Sequence, residues 1–454
     1  MSNEIEPMNE IEPMNQIEQN NNFNVVSLFC GCGGLDKGFE SKFNTLVAND
    51  IWHSALETYR KNFTTPIIEG DITELEIKNQ IKQKVGSHHV HCLIGGPPCQ
   101  AYSISGIRDP SDKRGKLFKD YIKMVQLLNP DIIVMENVKG ILSIKQDRDN
   151  LNSSQLSELN KFYDLDKKKI QLLDLRKKSK NNPEKFKFDS SKQQELTNLR
   201  KLIKTESIKV EQYREPVVQK IKNKLQNCGY RVEHFVLNSA NYGVPQRRER
   251  VIFIGTKLDG VEITEPPKTH NEENWKTVKQ AIDDLGDIER KELNHIKTKH
   301  SNDFIKKIEK TPIGQSVIKS YGDAFYRCEP DKPSRTVKEN HGGVFVHYNY
   351  NRCMTPRELA RLQDFPDDFI FVGSKSNILK QIGNAVPVGL GRAISKNVFK
   401  MLRTHYPIPM NIQNNIQNST QNNIQNNPKM KTKMKTKMKM KMKKKRMFLV
   451  KRTK

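Results

Sequence analysis

Apolar positions along this chain follow two alternating patterns. Dense, short, β-branched runs read as strands: Asn24-Val-Val-Ser-Leu-Phe29, FNTLVAND (43–50), VHCLIGG (90–96), DIIVMENV (131–138), RVEHFVLN (231–238) and RVIFIG (250–255). Between them, HSALETYRKNF (53–63) and LFKDYIKMVQLL (117–128) place apolar residues at helical spacing. Strand and helix alternating in this way predict βαβ units around a mostly parallel sheet, an α/β fold.

Two stretches break the rhythm. Residues 145–214 are rich in Lys, Asp, Gln and Ser, and their periodic leucines (Leu151, Leu156, Leu159; Leu196, Leu199, Leu202) predict a charged helical hairpin protruding from the domain. After RVIFIG the chain turns irregular, with Pro266-Pro267 and many charges, which suits a second, smaller domain. The opening repeat NEIEPM is acidic, contains Pro and lacks a helical stripe. The Asn/Gln/Ile repeat after Tyr406 and the lysine–methionine tail are of equally low complexity, and all three segments are expected to be disordered. The expected division is a disordered 1–22, a main domain over 23–255 carrying the insert 145–214, a smaller domain over 256–350, a return to the main domain over 351–406, and a disordered linker and tail over 407–454.

Charge narrows the partners. The 454 residues carry a formal net charge of +26, which favours a polyanion. From Lys429 to Lys454 there are 14 Lys or Arg and no acid, yet the remainder is still basic. The tail reads either as a phosphate clamp or nuclear address, or as the compositional product of an adenine/thymine-rich genome. The seven cysteines are odd in number and form no CxxC pair; with no signal peptide at the start, they imply a reducing compartment and a protein that is not secreted. All but Cys99 read as small core residues. No His/Cys cluster has zinc spacing, so no metal is expected. No apolar run is long enough for a bilayer, so no membrane is expected either.

Candidate chemistry gathers at the predicted strand ends. Gly31, Gly33 and Gly34, in FCGCGGL after the first strand, permit a tight turn and close backbone approach, and free amides at the following helix start suit a carboxylate. Such a turn equally serves only to pack a helix on a strand. Asp50 ends the second strand, where an acid takes ribose hydroxyls in folds of this kind, and Asp71 follows the next short apolar run, where it can accept from an adenine amino group. Either acid alone reads as a surface or capping residue. Gly95-Gly96-Pro97-Pro98-Cys99-Gln100 fixes an unusual backbone that aims Cys99 into the crevice as a nucleophile. Glu136 ends the strand DIIVM, where a carboxylate needs a partner or a task, and burial would raise its pKa toward that of a proton donor. Arg248 and Arg250, in QRRERV, alternate on one face and can bind a carbonyl, orient Glu136 or hold phosphate.

Taken in chain order, FxGxGG, PPCQ, ENV, QRRER and QIGNAVP resemble the DNA cytosine-5 methyltransferases of bacterial or viral modification type, over residues 24–144 and 215–400. That resemblance implies a Rossmann-like S-adenosylmethionine-dependent methyltransferase domain with a target-recognition domain at 256–350. It implies Cys99 as nucleophile, Glu136 as the acid that protonates the base, and Arg248 and Arg250 as substrate-orienting groups. The S-adenosyl-L-methionine pocket falls on Phe29, Gly31, Gly33, Gly34, Asp50, Ile51, Asp71, Ile72, Pro98, Leu117, Asn384 and Val386. Ile51 departs from the family, many of whose members place Trp there against the adenine, and the insert 145–214 is absent from compact members.

The implied substrate is a cytosine extruded from double-stranded DNA, since an intact duplex hides ring carbon 6. A loop after Cys99 would close over the DNA, with Gln100, Ser103, Ser105 and Arg108 as contacts, Gly106 as hinge, and Lys113 and Arg114 on phosphates. Thr336-Val337, before the turn Gly342-Gly343, reads either as a base contact or as packing within a small β domain. Met354–Pro366 predicts a capped structural helix beginning at Thr355. The resemblance further implies a monomer, a cognate restriction endonuclease acting on the same site, and work at the nucleoid in a bacterial cytoplasm, or in a nucleus or viral factory otherwise. Two rivals remain: a tRNA cytosine-5 methyltransferase, whose CFT-containing signature is absent before the ARLQ helix, and a catalytically silent DNA-binding protein, which would have lost Cys99, Glu136 or Arg250.

Overall fold

A computed structural model describes residues 23–98, 117–318, 325–339 and 345–407. Cys99, Gln100, Ser103, Ser105, Gly106, Arg108, Lys113, Arg114, the Gly342-Gly343 turn, residues 1–22 and the tail lie outside the described residues. The chain divides into two units, Met1–Met401 and Leu402–Lys454, the second described only through residue 407.

The apolar runs become strands in chain order. β1 (Phe23–Leu28) leads to helix α1 (Gly34–Phe39), β2 (Phe43–Asp50), α2 (His53–Asn62), β3 (Ile67–Glu69), α3 (Leu75–Val85), β4 (Cys92–Gly95), α4 (Leu117–Leu128) and β5 (Ile132–Val138). β6 (Lys145–Asp147), α5 (Ser153–Asn181), α6 (Ser190–Val210), β7 (Arg214–Pro216) and α7 (Val217–Gln226) come next, before β8 (Arg231–Asn238) and β9 (Glu249–Thr256). Seven strands join one sheet in the order β3-β2-β1-β4-β5-β9-β8. β1 to β5 pair in parallel, and β9 is antiparallel to both β5 and β8. The sheet is thus the mostly parallel, Rossmann-like one that the α/β rhythm predicts.

One face of the sheet presents Val26, Leu28, Leu93, Ile133, Met135 and Phe253 to Ile81 of α3, Tyr121 and Val125 of α4, and Ile221 and Leu225 of α7. Each such side chain contributes about 1.5–3 kcal/mol on burial. Tyr121 shows why an aromatic with a hydroxyl sits here: it donates to the carbonyls of Leu93 (2.9 Å) and Val134 (3.1 Å) from within the core.

Past β9 come α8 (Val278–Ile282), α9 (Asn302–Glu309), α10 (Pro356–Leu362), α11 (Lys375–Asn384) and α12 (Val388–His405). Among the described residues of 256–350, strand pairing is confined to isolated bridges, such as Ser316 with Tyr326 and Arg327 with Val346. A second core of Val278, Leu359, Leu362, Phe365, Phe369, Phe371 and Ile382 meets Cys32 of the glycine loop and Ala55 of α2. Thr355 caps α10 with a full capping box, and Pro356 stands in its first turn. Arg352 forks onto Glu358 of the same helix through two bonds of 2.9 Å. Cys30, Cys32, Cys92, Cys328 and Cys353 are buried thiols, while Cys228 is half-buried; all six are free.

Candidate active site

Strand order reverses between β1 and β4, and in an open α/β sheet a crevice forms at the carboxyl ends of strands at such a point. Register brings the relevant loops level there. Leu28 pairs with Gly95 and Gly95 with Met135, so the glycine loop, the proline-framed segment and Glu136 leave the sheet side by side.

The glycine loop is held open by backbone conformations that need its composition. Gly31 (φ 54°) and Gly33 (φ 91°) are left-handed, and Phe29 (φ 54°) is left-handed without being glycine. Asp50 braces this loop: its carboxylate accepts from the Gly31 amide (2.8 Å) through one oxygen and from the Trp52 amide (2.8 Å) through the other. Burial pushes the Asp50 carboxyl above its ordinary range, and those amides counteract part of the effect. A side chain on Gly34 would come within 2.5 Å of the Val386 carbonyl, so QIGNAVP rests directly on the loop.

The rest of the expected pocket stands along the same edge. Ile51 is 64% exposed, offering apolar surface just after Asp50. Its neighbour Trp52 packs instead against the second core, with the Lys380 ammonium 4.9 Å from its ring centroid. Asp71 accepts from the Thr73 amide (2.9 Å), Ile72 is buried, and Asn384 is exposed. Phe29, Pro98, Leu117 and Val386 are half-buried.

Glu136 and Arg250 form the centre of the target side. Glu136 faces Ile252 across the β5–β9 ladder and Val138 faces Arg250, which makes Glu136 and Arg250 diagonal neighbours on one face. Arg250 Nε lies 2.8 Å from Glu136 Oε1, and each side chain is only 12% exposed. Burial raises the Glu136 pKa, opposed by the charges of Arg250 and Arg248, and burial lowers that of Arg250. A carboxyl so placed can hold a proton where a surface glutamate would not. The loop before Cys99 is seated against it: a side chain at Gly96 would lie 3.1 Å from Glu136 Oε2, and Asn137 Nδ2 donates to the Pro97 carbonyl (3.2 Å).

Arg248 is placed differently from Arg250. Its guanidinium is buried and donates to the carbonyls of Val337 (2.6 Å) and Gly383 (2.8 Å), tying the smaller domain to the segment before Asn384. Thr336 donates its hydroxyl to the Arg247 carbonyl (3.0 Å). Gln246, fully buried, donates to the Leu362 carbonyl and Gln363 Oε1 and accepts from the Val337 amide. Gln246 and Asn137 received no role from the sequence. Their one signal was a polar side chain at the end of an apolar strand or beside a motif arginine.

A Rossmann-like sheet with this edge defines a methyltransferase-type protein. Its particular family follows from comparison: the chain matches the C-5 cytosine-specific DNA methylase family over residues 23–173 and 196–400, and it belongs to that family. The match runs further into the insert than the motifs indicated and leaves out residues 174–195. Among curated relatives, the type II methyltransferase M1.HphI of Haemophilus parahaemolyticus is 32% identical over 398 residues, covering 84% of this chain and 87% of the relative. The type II methyltransferase M.DdeI of Desulfomicrobium norvegicum is 29% identical over 83% of this chain and 88% of its own length. Among solved structures, a prophage-encoded protein of E. coli described as a DNA modification methyltransferase superposes with a TM-score of 0.58 at 22% identity, over 84% of this chain and 99% of that one. The Entamoeba histolytica methyltransferase EhMeth does so with a TM-score of 0.51 at 16% identity, over 84% of this chain and 99% of that one. Both structures bear on the fold alone.

Proposed function

We propose that this chain methylates carbon 5 of a cytosine swung out of duplex DNA, with S-adenosylmethionine as donor and Cys99 as nucleophile. The observation that carries the reading is the Glu136–Arg250 pair at the carboxyl edge, packed against the segment that delivers Cys99. Membership of the C-5 cytosine-specific DNA methylase family supports the same reaction.

The residues present fit the donor. Nothing lies within 4 Å of where a Gly31 side chain would stand, so a ligand can approach the loop backbone there. Exposed Ile51 offers its apolar face to an adenine, and Asp71 and Asn384 supply polar atoms beside it. Asp50, whose two oxygens already hold the Gly31 and Trp52 amides, shapes the loop and meets ribose with its remaining lone pairs. When bound, S-adenosylmethionine supplies the methyl group.

The chain's own residues activate the base. Cytosine carbon 5 is a weak nucleophile, so the Cys99 thiolate first bonds to carbon 6 while Glu136 gives its proton to ring nitrogen 3. Electron density then collects at carbon 5. After methylation a base removes the carbon 5 proton, the carbon–sulfur bond breaks, and Glu136 recovers its proton from nitrogen 3. Arg250 orients Glu136 and reaches toward the pyrimidine carbonyl, and Arg248 holds the wall formed by Val337 and Gly383 behind it. Thr336 and the Cys99 loop, with Gln100, Ser103, Ser105 and Arg108, are the proposed DNA contacts.

A partner restriction endonuclease that reads the same site completes the proposal, in keeping with the type II names of the relatives, and the chain is proposed to act as a monomer. In a bacterium it would work in the cytoplasm at the nucleoid. No described helix is long and apolar enough to cross a membrane. A duplex carrying a mechanism-based fluorinated cytosine, given methyl donor, should trap the wild-type chain in a denaturant-stable adduct and leave Cys99→Ser untrapped. Absence of the wild-type adduct would overturn the mechanism. Methyl transfer to tRNA in preference to duplex DNA would overturn the substrate.

A further inference from the structure

The hairpin of α5 and α6 has no role in the site, yet its charge is sorted along its length. Residues 167–204 carry 13 Lys or Arg against 4 Asp or Glu, while the base, residues 145–166 and 205–216, carries 5 against 8. At the base several acids are engaged. Asp149 meets Lys220 (2.7 Å), Lys224 (2.6 Å) and Lys119 (3.7 Å), and Lys145 pairs with Glu211. At the distal end the balance reverses. Lys177, Lys180, Lys185 and Lys187 are exposed and have no ion pair among the described residues.

The hairpin is anchored at its base. β6 and β7 close its neck as an antiparallel pair, and Leu159, Phe162 and Val210 fill the space between its helices together with Tyr163, Ile203 and Tyr213. α5 is 29 residues long, about 43 Å at about 1.5 Å per residue. One turn of duplex DNA spans about 34–36 Å, so the rod matches roughly one turn. Its root is the short turn Lys139–Ser143, which directly follows Glu136-Asn137-Val138 at the sheet's carboxyl edge. The rod thus carries exposed cations and is rooted next to the strand that ends in Glu136-Asn137-Val138. The distal segment 174–195 is also the stretch outside the family match.

We propose that the distal half of the hairpin is a second DNA-binding surface, holding phosphates of the duplex that flanks the target. It adds affinity and footprint without reading bases, because exposed lysines meet the backbone as point charges. The proposal rests on the DNA methyltransferase reading and extends it.

The test uses the full chain and two duplexes with the same central target cytosine, one of about 12 bp and one of about 40 bp, so that only the longer extends more than one turn of about 10 bp to either side of the target. The fourfold variant Lys177→Gln, Lys180→Gln, Lys185→Gln, Lys187→Gln should bind the long duplex on the order of tenfold more weakly. Its salt slope there should flatten by roughly 0.9 for each phosphate that is no longer neutralised. Affinity for the short duplex should be unchanged, with circular dichroism confirming the fold. Equal weakening on both duplexes, or no weakening on the long one, would overturn the proposal. Methyl transfer by the wild type to the short duplex tests the underlying reading separately, since its absence there leaves the length comparison of binding intact.

Discussion

At the carboxyl edge of the sheet Glu136 and Arg250 are nearly closed off from water and 2.8 Å apart, whereas on the hairpin Lys177, Lys180, Lys185 and Lys187 stand in solvent with no ion pair among the described residues. The first arrangement makes each charge depend on its neighbour. A buried ion unpaired by mutation costs several kcal/mol, and the same burial moves its proton affinity into a useful range. The second makes every charge nearly independent of the fold, so its energy appears only when a polyanion arrives. Substitutions in the two regions should therefore differ in size and in kind.

The largest effects belong to the cleft. Glu136→Gln keeps the shape but cannot deliver the proton, and methyl transfer should fall by about 10²–10⁴-fold with DNA binding little changed. Arg250→Leu leaves Glu136 buried without its cation, so it should lose about 3 kcal/mol of stability, read by urea unfolding, besides losing activity. With that cation gone the Glu136 carboxyl should rise further. Its folded pKa already lies above the unfolded value, so the stability it contributes is present at low pH and lost as pH rises through the folded value. The stability deficit of Arg250→Leu should accordingly narrow in acid. A deficit independent of pH would show that the pair is not coupled.

A third buried charge sharpens the comparison from the opposite side. Asp36, in the helix that follows the glycine loop, accepts from the Tyr59 hydroxyl (2.9 Å). Burial pushes its pKa up to about 6, which hydrogen bonds from Ser27 and Tyr59 only partly oppose. The folded form therefore binds this proton more tightly than the unfolded form, and the stability that Asp36 contributes is fully present below about 4 and lost as pH rises through about 6. Asp36→Asn should add roughly 1–3 kcal/mol at neutral pH and flatten that decline. A variant no more stable than wild type at about pH 7.5 would mean that an unseen cation or water already compensates the charge.

How much of this was legible beforehand varies from one interaction to the next. RVEHFVLN coincides with β8 (Arg231–Asn238), and FNTLVAND with β2, because period-two apolar patterning is a local property of the chain. β3 spans only Ile67–Glu69, too short to show a period, and it exists because β2 offers an edge. The glycine loop, Glu136 and Arg250 could be named from composition at strand ends. That Glu136 and Arg250 touch depends on the β5–β9 register, set by residues more than a hundred positions apart. Least visible were the partners of Asp50 and Arg248, which are backbone amides and carbonyls. A backbone group has no sequence signature, so an aspartate read as a ribose ligand also proves to be a loop brace, and an arginine read as a substrate contact proves to hold two peptide carbonyls.

The smallest effects test the hairpin against its own base. Asp149 is engaged by three lysines; burial works against its charge, but the hydrogen bonds from Lys220 and Lys224 and the charge of Lys119 hold its carboxyl at about 2. Its stability contribution is present above the ordinary aspartate range and lost as pH falls through that depressed value. Because the side chain is 43% exposed, solvent screening limits Asp149→Asn to about 0.5–1 kcal/mol at neutral pH. Lys180→Gln at the distal end should change stability by less than about 0.5 kcal/mol, since the lysine touches no acid. Thermal unfolding of the two variants side by side, at low and at moderate salt, resolves them: Asp149→Asn should lower the midpoint and converge on wild type as salt rises. A Lys180→Gln protein that unfolds earlier than Asp149→Asn would mean that the distal lysines are spent on holding the hairpin together. The two ends of the rod would then not divide the work between anchoring and binding.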